Sequence, residues 1–177
     1  GLAYSEGLFD RIAVIDGEIL NSNTHFTPRH RDCQRLGLTC PDVSSLAVET
    51  STVTPAPAFE RSIVKLTITR GSRARGYTPA VSLHPTRSVA CSEWATAYSS
   101  HEDNGVTVCI ANHRLCMNPQ PTGLKHSDSL DQVMASRELA ETTAQDALMR
   151  NDIGTTYNIG EGAWASQNAL IAGNYHR

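Results

Sequence analysis

The sequence predicts an α+β fold, and three observations carry that prediction. Ser62 to Thr69 alternates apolar and polar residues, the pattern of a strand with one buried face. Leu8 to Ile15 reads as a second strand, followed by Asp16-Gly17, a strong hairpin turn, and a return strand from Glu18 to Leu20. After Gly123-Leu124-Lys125, the residues Leu130, Val133, Met134 and Arg137 recur at three- and four-residue intervals, which is helical spacing. Strands and helices alternate without the regular rhythm of a doubly wound parallel sheet, so mixed α+β is favoured.

Taken in order, Asn23-Thr24 offers a cap for a helix from His25 to Leu38. Pro28 is tolerable only in its first turn, and Gly37 with Pro41 ends it. A second helix is expected across Val43 to Glu49. Ser51 to Phe59, rich in Thr, Pro and Ala, reads as a loop. Arg70 to Pro79 is a Gly- and Arg-rich loop, and strands follow at Arg87 to Tyr98 and Gly105 to Ala111. Asn112 to Thr122 carries two prolines and no period. The expected organisation is an N-terminal α/β domain over 1–111, a linker over 112–122, and the incomplete start of a second domain over 123–177. The helix after Lys125 should run to about Thr143, with short strands at Ala144 to Met149, Ile159 to Ala165 and Ala169 to Ala172. The abrupt ends, on Gly1 and on Arg177 just after a strand-like run, suggest a fragment.

Composition excludes several classes of function. The 177 residues are 40% hydrophobic and 19% charged, with a net charge of -3. No basic surplus points to nucleic acid, and no apolar run nears the ~20 residues of a membrane helix. Five cysteines without a Cys-x-x-Cys pair make a disulfide framework or zinc site unexpected and fit reduced thiols in a cytoplasm. The seven histidines are scattered, and no metal site is expected.

Three places could hold chemistry. Lys125 lies at or before the start of a helix. A lysine facing a cleft there, partly desolvated, supplies a nucleophile and base, although most lysines are solvated surface charges. In Thr69-Arg70-Gly71-Ser72-Arg73-Ala74-Arg75-Gly76-Tyr77, glycines let backbone approach a ligand and guanidinium forks match carboxylates. A solvated hairpin loop fits that composition equally well. Glu161, between two glycines, could hold a cationic ring nitrogen, against the commoner outcome of an exposed turn acid.

Several motifs, in order, resemble the fold-type IV pyridoxal-phosphate enzymes, the class IV aminotransferase superfamily. Gly1-Leu2-Ala3-Tyr4-Ser5-Glu6-Gly7-Leu8-Phe9 is similar to the family's opening Gly-Leu-x-Tyr-Gly-Asp-Gly-x-Phe. His25-Phe26 with Arg35-Leu36-Gly37-Leu38 matches its helix. The Thr-Arg-Gly-Ser-x-x-Arg-Gly-Tyr loop, and Gly-Leu-Lys-His followed by Leu-Asp-Gln-Val, look most like its 4-amino-4-deoxychorismate lyase branch. The resemblance implies an N-terminal α/β sandwich domain and a second, barrel-like α/β domain, truncated here.

It also implies pyridoxal 5'-phosphate as cofactor, bonded to Lys125, the catalytic residue. The implied reaction converts 4-amino-4-deoxychorismate to 4-aminobenzoate and pyruvate, for folate biosynthesis, in a cytoplasmic homodimer. Glu161 would pair with the pyridine nitrogen, although without a short insertion Asn158 takes that place. Tyr4, Arg75 and Tyr77 would lie at the substrate, and Arg29 is the arginine nearest the family's phosphate-binding position. The alternatives are a branched-chain or D-amino-acid aminotransferase on the same fold and a non-catalytic, truncated relative.

Departures accompany the resemblance. The family's phosphate-binding arginine, three residues after the histidine, is Pro28 here. Continuous helix geometry would turn Arg29 by about 100° from that position. Asp128 replaces an asparagine, and the family's Ser-Asn-Leu-Phe becomes Ala165-Ser166-Gln167-Asn168. The family's glycine-rich phosphate cradle lies beyond residue 177.

Overall fold

Leucine, isoleucine and valine alternate along Gly7–Ile15 and Arg61–Thr69, which pair at the centre of a four-stranded sheet in the computed structural model. The structure describes residues 4–54, 59–72, 77, 84–94, 104–116 and 123–154, and the backbone of 156–158. The chain divides into two units, one formed by Gly1–Trp94 with Pro121–Asp128 and the other by Ala95–Gln120 with Ser129–Arg177.

In the first unit, β1 (Gly7–Ile15), β2 (Glu18–Ile19), β3 (Arg61–Thr69) and β4 (Thr86–Glu93) form an antiparallel sheet in the order β2-β1-β3-β4. Asp16 and Gly17 both have positive φ, 50° and 80°, so the predicted hairpin turn forms with the geometry that favours Asp-Gly. One face of the sheet is buried. Ile12, Val14, Val64, Leu66 and Ile68 pack there with Phe26 of α1 (Ser22–Phe26) and Leu46 of α3 (Val43–Val53). The α3 helix is capped by Asp42, whose side chain accepts from Ser45 N at 3.1 Å, and it runs four residues past the expected Glu49.

The single helix expected from His25 to Leu38 is two helices, α1 and α2 (Arg29–Arg35), meeting at Thr27-Pro28. Proline has no N–H to donate, and its ring crowds the carbonyl four residues back, so the ladder stops there. The first helix also starts earlier, at Ser22, behind an Asn21 in left-handed conformation. At the end of α2 the guanidinium of Arg70 donates to Gly37 O at 2.7 Å and Leu36 O at 2.6 Å, satisfying carbonyls that a helix end leaves open. Arg70, for which the sequence left a ligand-facing or a solvated loop open, is a helix clasp.

In the second unit, β5 (Val108–Leu115) pairs in parallel with β6 (Asp146–Asn151), which pairs antiparallel with β7 (Thr156–Asn158). The helix α4 (Leu130–Leu139) packs on β5 and β6 through small residues: Ala135 meets Ala111, Ala147 and Met149. The helical spacing seen in the sequence is real, but Leu130 and Val133 are exposed, because the side toward the sheet is the one bearing Ala135. The register of β5 shifts between Ile110 and Arg114. Glu138 holds the irregularity, accepting from Asn112 N at 2.6 Å and His113 N at 2.9 Å.

The expected division at 1–111 and 112–122 differs from these units. The strand β5 continues through Asn112 to Leu115, and residues 123–128 pack with the first unit. The strands expected at Ile159 to Ala165 and Ala169 to Ala172 lie outside the described residues.

Gly7 is required by close packing. A Cβ on Gly7 would lie 2.7 Å from Ser127 Oγ and 3.0 Å from Ile68 O. Gly7→Val should therefore lower unfolding stability by ~1–3 kcal/mol, the usual range for overpacking. A urea denaturation midpoint equal to wild type would contradict that close approach.

Candidate active site

Alternation along β1 places Leu8, Asp10, Ile12 and Val14 on the buried face. An acid thus stands in a row of core residues, and a buried carboxylate must be compensated. Its side chain is 3% exposed, and four groups surround it. Lys125 Nζ donates to Oδ1 at 2.8 Å, and Arg11 N donates to the same oxygen at 2.9 Å. His25 Nδ1 lies 2.9 Å from Oδ2, and an Arg29 Nη2 stands 3.7 Å from that oxygen.

The backbone brings the lysine there. The short β2 pairs only with Val14 and Ile15, so the same edge of β1 is open at its start. The segment around Lys125 fills it: Phe9 N donates to Lys125 O at 2.9 Å, Ser127 N donates to Gly7 O at 2.9 Å, and Leu8 bridges His126. Leu124 anchors this segment among Leu8, Cys33 and Leu38. Lys125 is thus held as though on an added strand, with 41% of its side chain still exposed. Its amine is fixed on one side by a carboxylate and reachable from the other.

Arg29 is positioned by the break at Pro28. As the first residue of α2 it is buried, not turned away as a continuous helix would turn it. Its Nε donates to His25 O at 3.1 Å, Nη1 to Phe9 O at 3.5 Å, and Nη2 lies 3.3 Å from Asp32 Oδ2. Tyr4 and Tyr77 meet edge to face, ring centres 5.3 Å apart, with Tyr77 largely exposed. Arg75 and Glu161 lie outside the described residues, as does the side chain of Asn158.

The structure therefore joins Lys125 and Arg29 through one group that sequence reasoning missed, Asp10. The signal was present: Leu8, Ile12 and Val14 share a parity, and Asp10 shares it with them. Among the described residues no cluster of His, Cys, Asp and Glu suits a metal ion, and no helix is long and apolar enough to cross a membrane.

The model of the amino-transferase class IV family matches residues 7–173. The chain belongs to that family. A curated aminodeoxychorismate lyase of Vibrio harveyi is 25% identical over 148 residues, which are 84% of this chain and 54% of that protein. The crystal structure of 4-amino-4-deoxychorismate lyase from Pseudomonas aeruginosa superposes with a TM-score of 0.79 at 28% identity, covering 90% of this chain and 58% of that one. The Escherichia coli branched-chain amino acid aminotransferase shares the fold, with a TM-score of 0.76 at 15% identity over 89% of this chain and 55% of its own. The chain has the fold-type IV architecture of these enzymes and spans little more than half the length of each.

Burial pushes the Asp10 carboxyl up, but the His25 hydrogen bond and the Lys125 charge outweigh it and bring the group from its ordinary 3.8 down to about 2. A depressed carboxyl stabilises the fold above its unfolded value and loses that contribution as pH falls toward the folded one. Wild-type stability should therefore fall between pH 3.8 and about 2. Asp10→Asn should flatten that part of the urea-midpoint profile, and an unchanged slope would contradict the assignment.

Proposed function

We propose that this chain carries the lysine-bearing part of a pyridoxal 5'-phosphate-dependent lyase. The substrate is 4-amino-4-deoxychorismate, and the products are 4-aminobenzoate and pyruvate. The observation that carries the proposal is the Lys125 amine, fixed at 2.8 Å from a buried carboxylate and still accessible. The choice of lyase over transaminase is supported by the two relatives at 25% and 28% identity, both lyases by name. The Gly-Leu-Lys-His and Thr-Arg-Gly-Ser motifs agree with it.

The residues present fit the aldehyde end of the cofactor. Lys125 offers a primary amine on a backbone pinned to β1 by two hydrogen bonds. When bound, pyridoxal phosphate supplies an electron sink for the carbon that bears the substrate nitrogen. Lys125 Nζ takes the proton from that carbon, Asp10 holds the amine in place, and Tyr4 with Tyr77 lies toward the substrate. Glu161 is the proposed partner of the pyridine nitrogen, with Asn158 as the alternative. The proposal carries with it a cytoplasmic homodimer acting in folate biosynthesis.

Incubation with 4-amino-4-deoxychorismate and no amino acceptor should release pyruvate and 4-aminobenzoate in equal amounts. Lys125→Ala should reduce this by at least about 10²-fold, as expected for loss of a positioned acid–base group. Transfer of an amino group from amino acids to 2-oxoglutarate, without pyruvate release, would replace the lyase with an aminotransferase.

A further inference from the structure

All three guanidinium nitrogens of Arg29 are engaged inside the protein. Nε is held by His25 O, Nη1 by Phe9 O, and Nη2 stands between Asp32 Oδ2 at 3.3 Å and Asp10 Oδ2 at 3.7 Å. The side chain is only 7% exposed. Two carboxylates already flank its Nη2. Asp10 and Asp32 face Arg29 and Lys125, with His25 on Asp10 and the exposed Arg31 on the outer oxygen of Asp32. A phosphate dianion drawn to Arg29 would meet two carboxylates already paired with the same nitrogen, and like charges at such range repel. The cofactor's phosphate end is not matched at this arginine.

We propose that Arg29 is a positioning residue that acts on the Lys125 amine through the Asp10 carboxylate, and does not hold the phosphate of the cofactor. The division of labour on Asp10 shows how. One oxygen, Oδ1, faces Lys125 and the Arg11 amide, while the other, Oδ2, faces His25 and Arg29. The Arg29 cation beside Oδ2 draws charge from the carboxylate and sets how tightly Oδ1 grips the amine. Arg29 is delivered to this duty by the Pro28 break, which starts α2 at Arg29 and ties its Nε to the last turn of α1. The inference rests on the proposed role of Lys125 only for its catalytic meaning.

The chain has two lysines, and Lys65, exposed on β3, serves as an internal reference. The rate at which a small acetylating reagent modifies Lys125 relative to Lys65 is read by mass spectrometry on the whole chain. Arg29→Gln should lower the ratio by about threefold or more, because Asp10 then grips Lys125 with one competitor fewer. Arg29→Lys, which keeps the charge, should restore part of it. In an Asp10→Asn background the Arg29→Gln change should have no further effect, since the coupling runs through that carboxylate.

In parallel, borohydride trapping measures the capture of pyridoxal phosphate and of pyridoxal, which lacks the phosphate. Arg29→Gln should change both captures by the same factor. An unchanged acetylation ratio in Arg29→Gln overturns the inference, and so does an undiminished Arg29 effect in Asp10→Asn. A loss about tenfold greater for pyridoxal phosphate than for pyridoxal also overturns it, by showing Arg29 on the phosphate. If wild type captures neither aldehyde, the proposed function fails, and the acetylation ratios still decide the role of Arg29.

Discussion

A single carboxylate in the buried row of β1 organises the first unit. Asp10 occupies a position that strand alternation assigns to the core, where an uncompensated charge would cost several kcal/mol. Compensation comes from three other segments of the chain: His25 of α1, Arg29 of α2, and Lys125 from more than a hundred residues away in sequence. The acid therefore specifies the docking of those segments as much as it stabilises them, and removing any one leaves the rest facing an exposed imbalance.

The backbone supports the same arrangement independently. Because β2 is short, the edge of β1 at Gly7 and Phe9 is open, and the Lys125 segment closes it with two hydrogen bonds. Gly7 allows that approach and Leu124 weighs it down with apolar contact. The lysine reaches Asp10 from a fixed base, which leaves its amine little freedom except along the direction still open to solvent. A rigidly held, accessible amine is the arrangement that nucleophilic and acid–base chemistry both require.

Much of this was legible in the sequence where local physics decides. The hairpin at Asp16-Gly17 and the alternation of Ser62 to Thr69 reflect backbone geometry and one-sided burial, and both appear as expected. Several motifs in order, from Gly1 to the Lys125 segment, led to the family, which the match over residues 7–173 bears out. The misses have a common cause in tertiary contacts. Pro28 reads as a tolerable first-turn proline for a helix starting at His25, but α1 starts at Ser22, which would put Pro28 in a helix interior, and the helix breaks there. Leu130 and Val133 mark the helix by their spacing but stay exposed, because the sheet accepts the helix through Ala135, where small side chains allow approach. Asp10 carries no motif of its own, and an acid in a strand ordinarily faces solvent. Only the parity of its neighbours reveals that it is inside.

The central claim is that the amine beside Asp10 is the one that captures an aldehyde cofactor. The most direct measurement is borohydride reduction of the protein with pyridoxal 5'-phosphate, followed by peptide mapping of its two lysines. The account predicts the phosphopyridoxyl label on Lys125, with Lys65 bare. Label on Lys65 alone, or equal label on both, would contradict it.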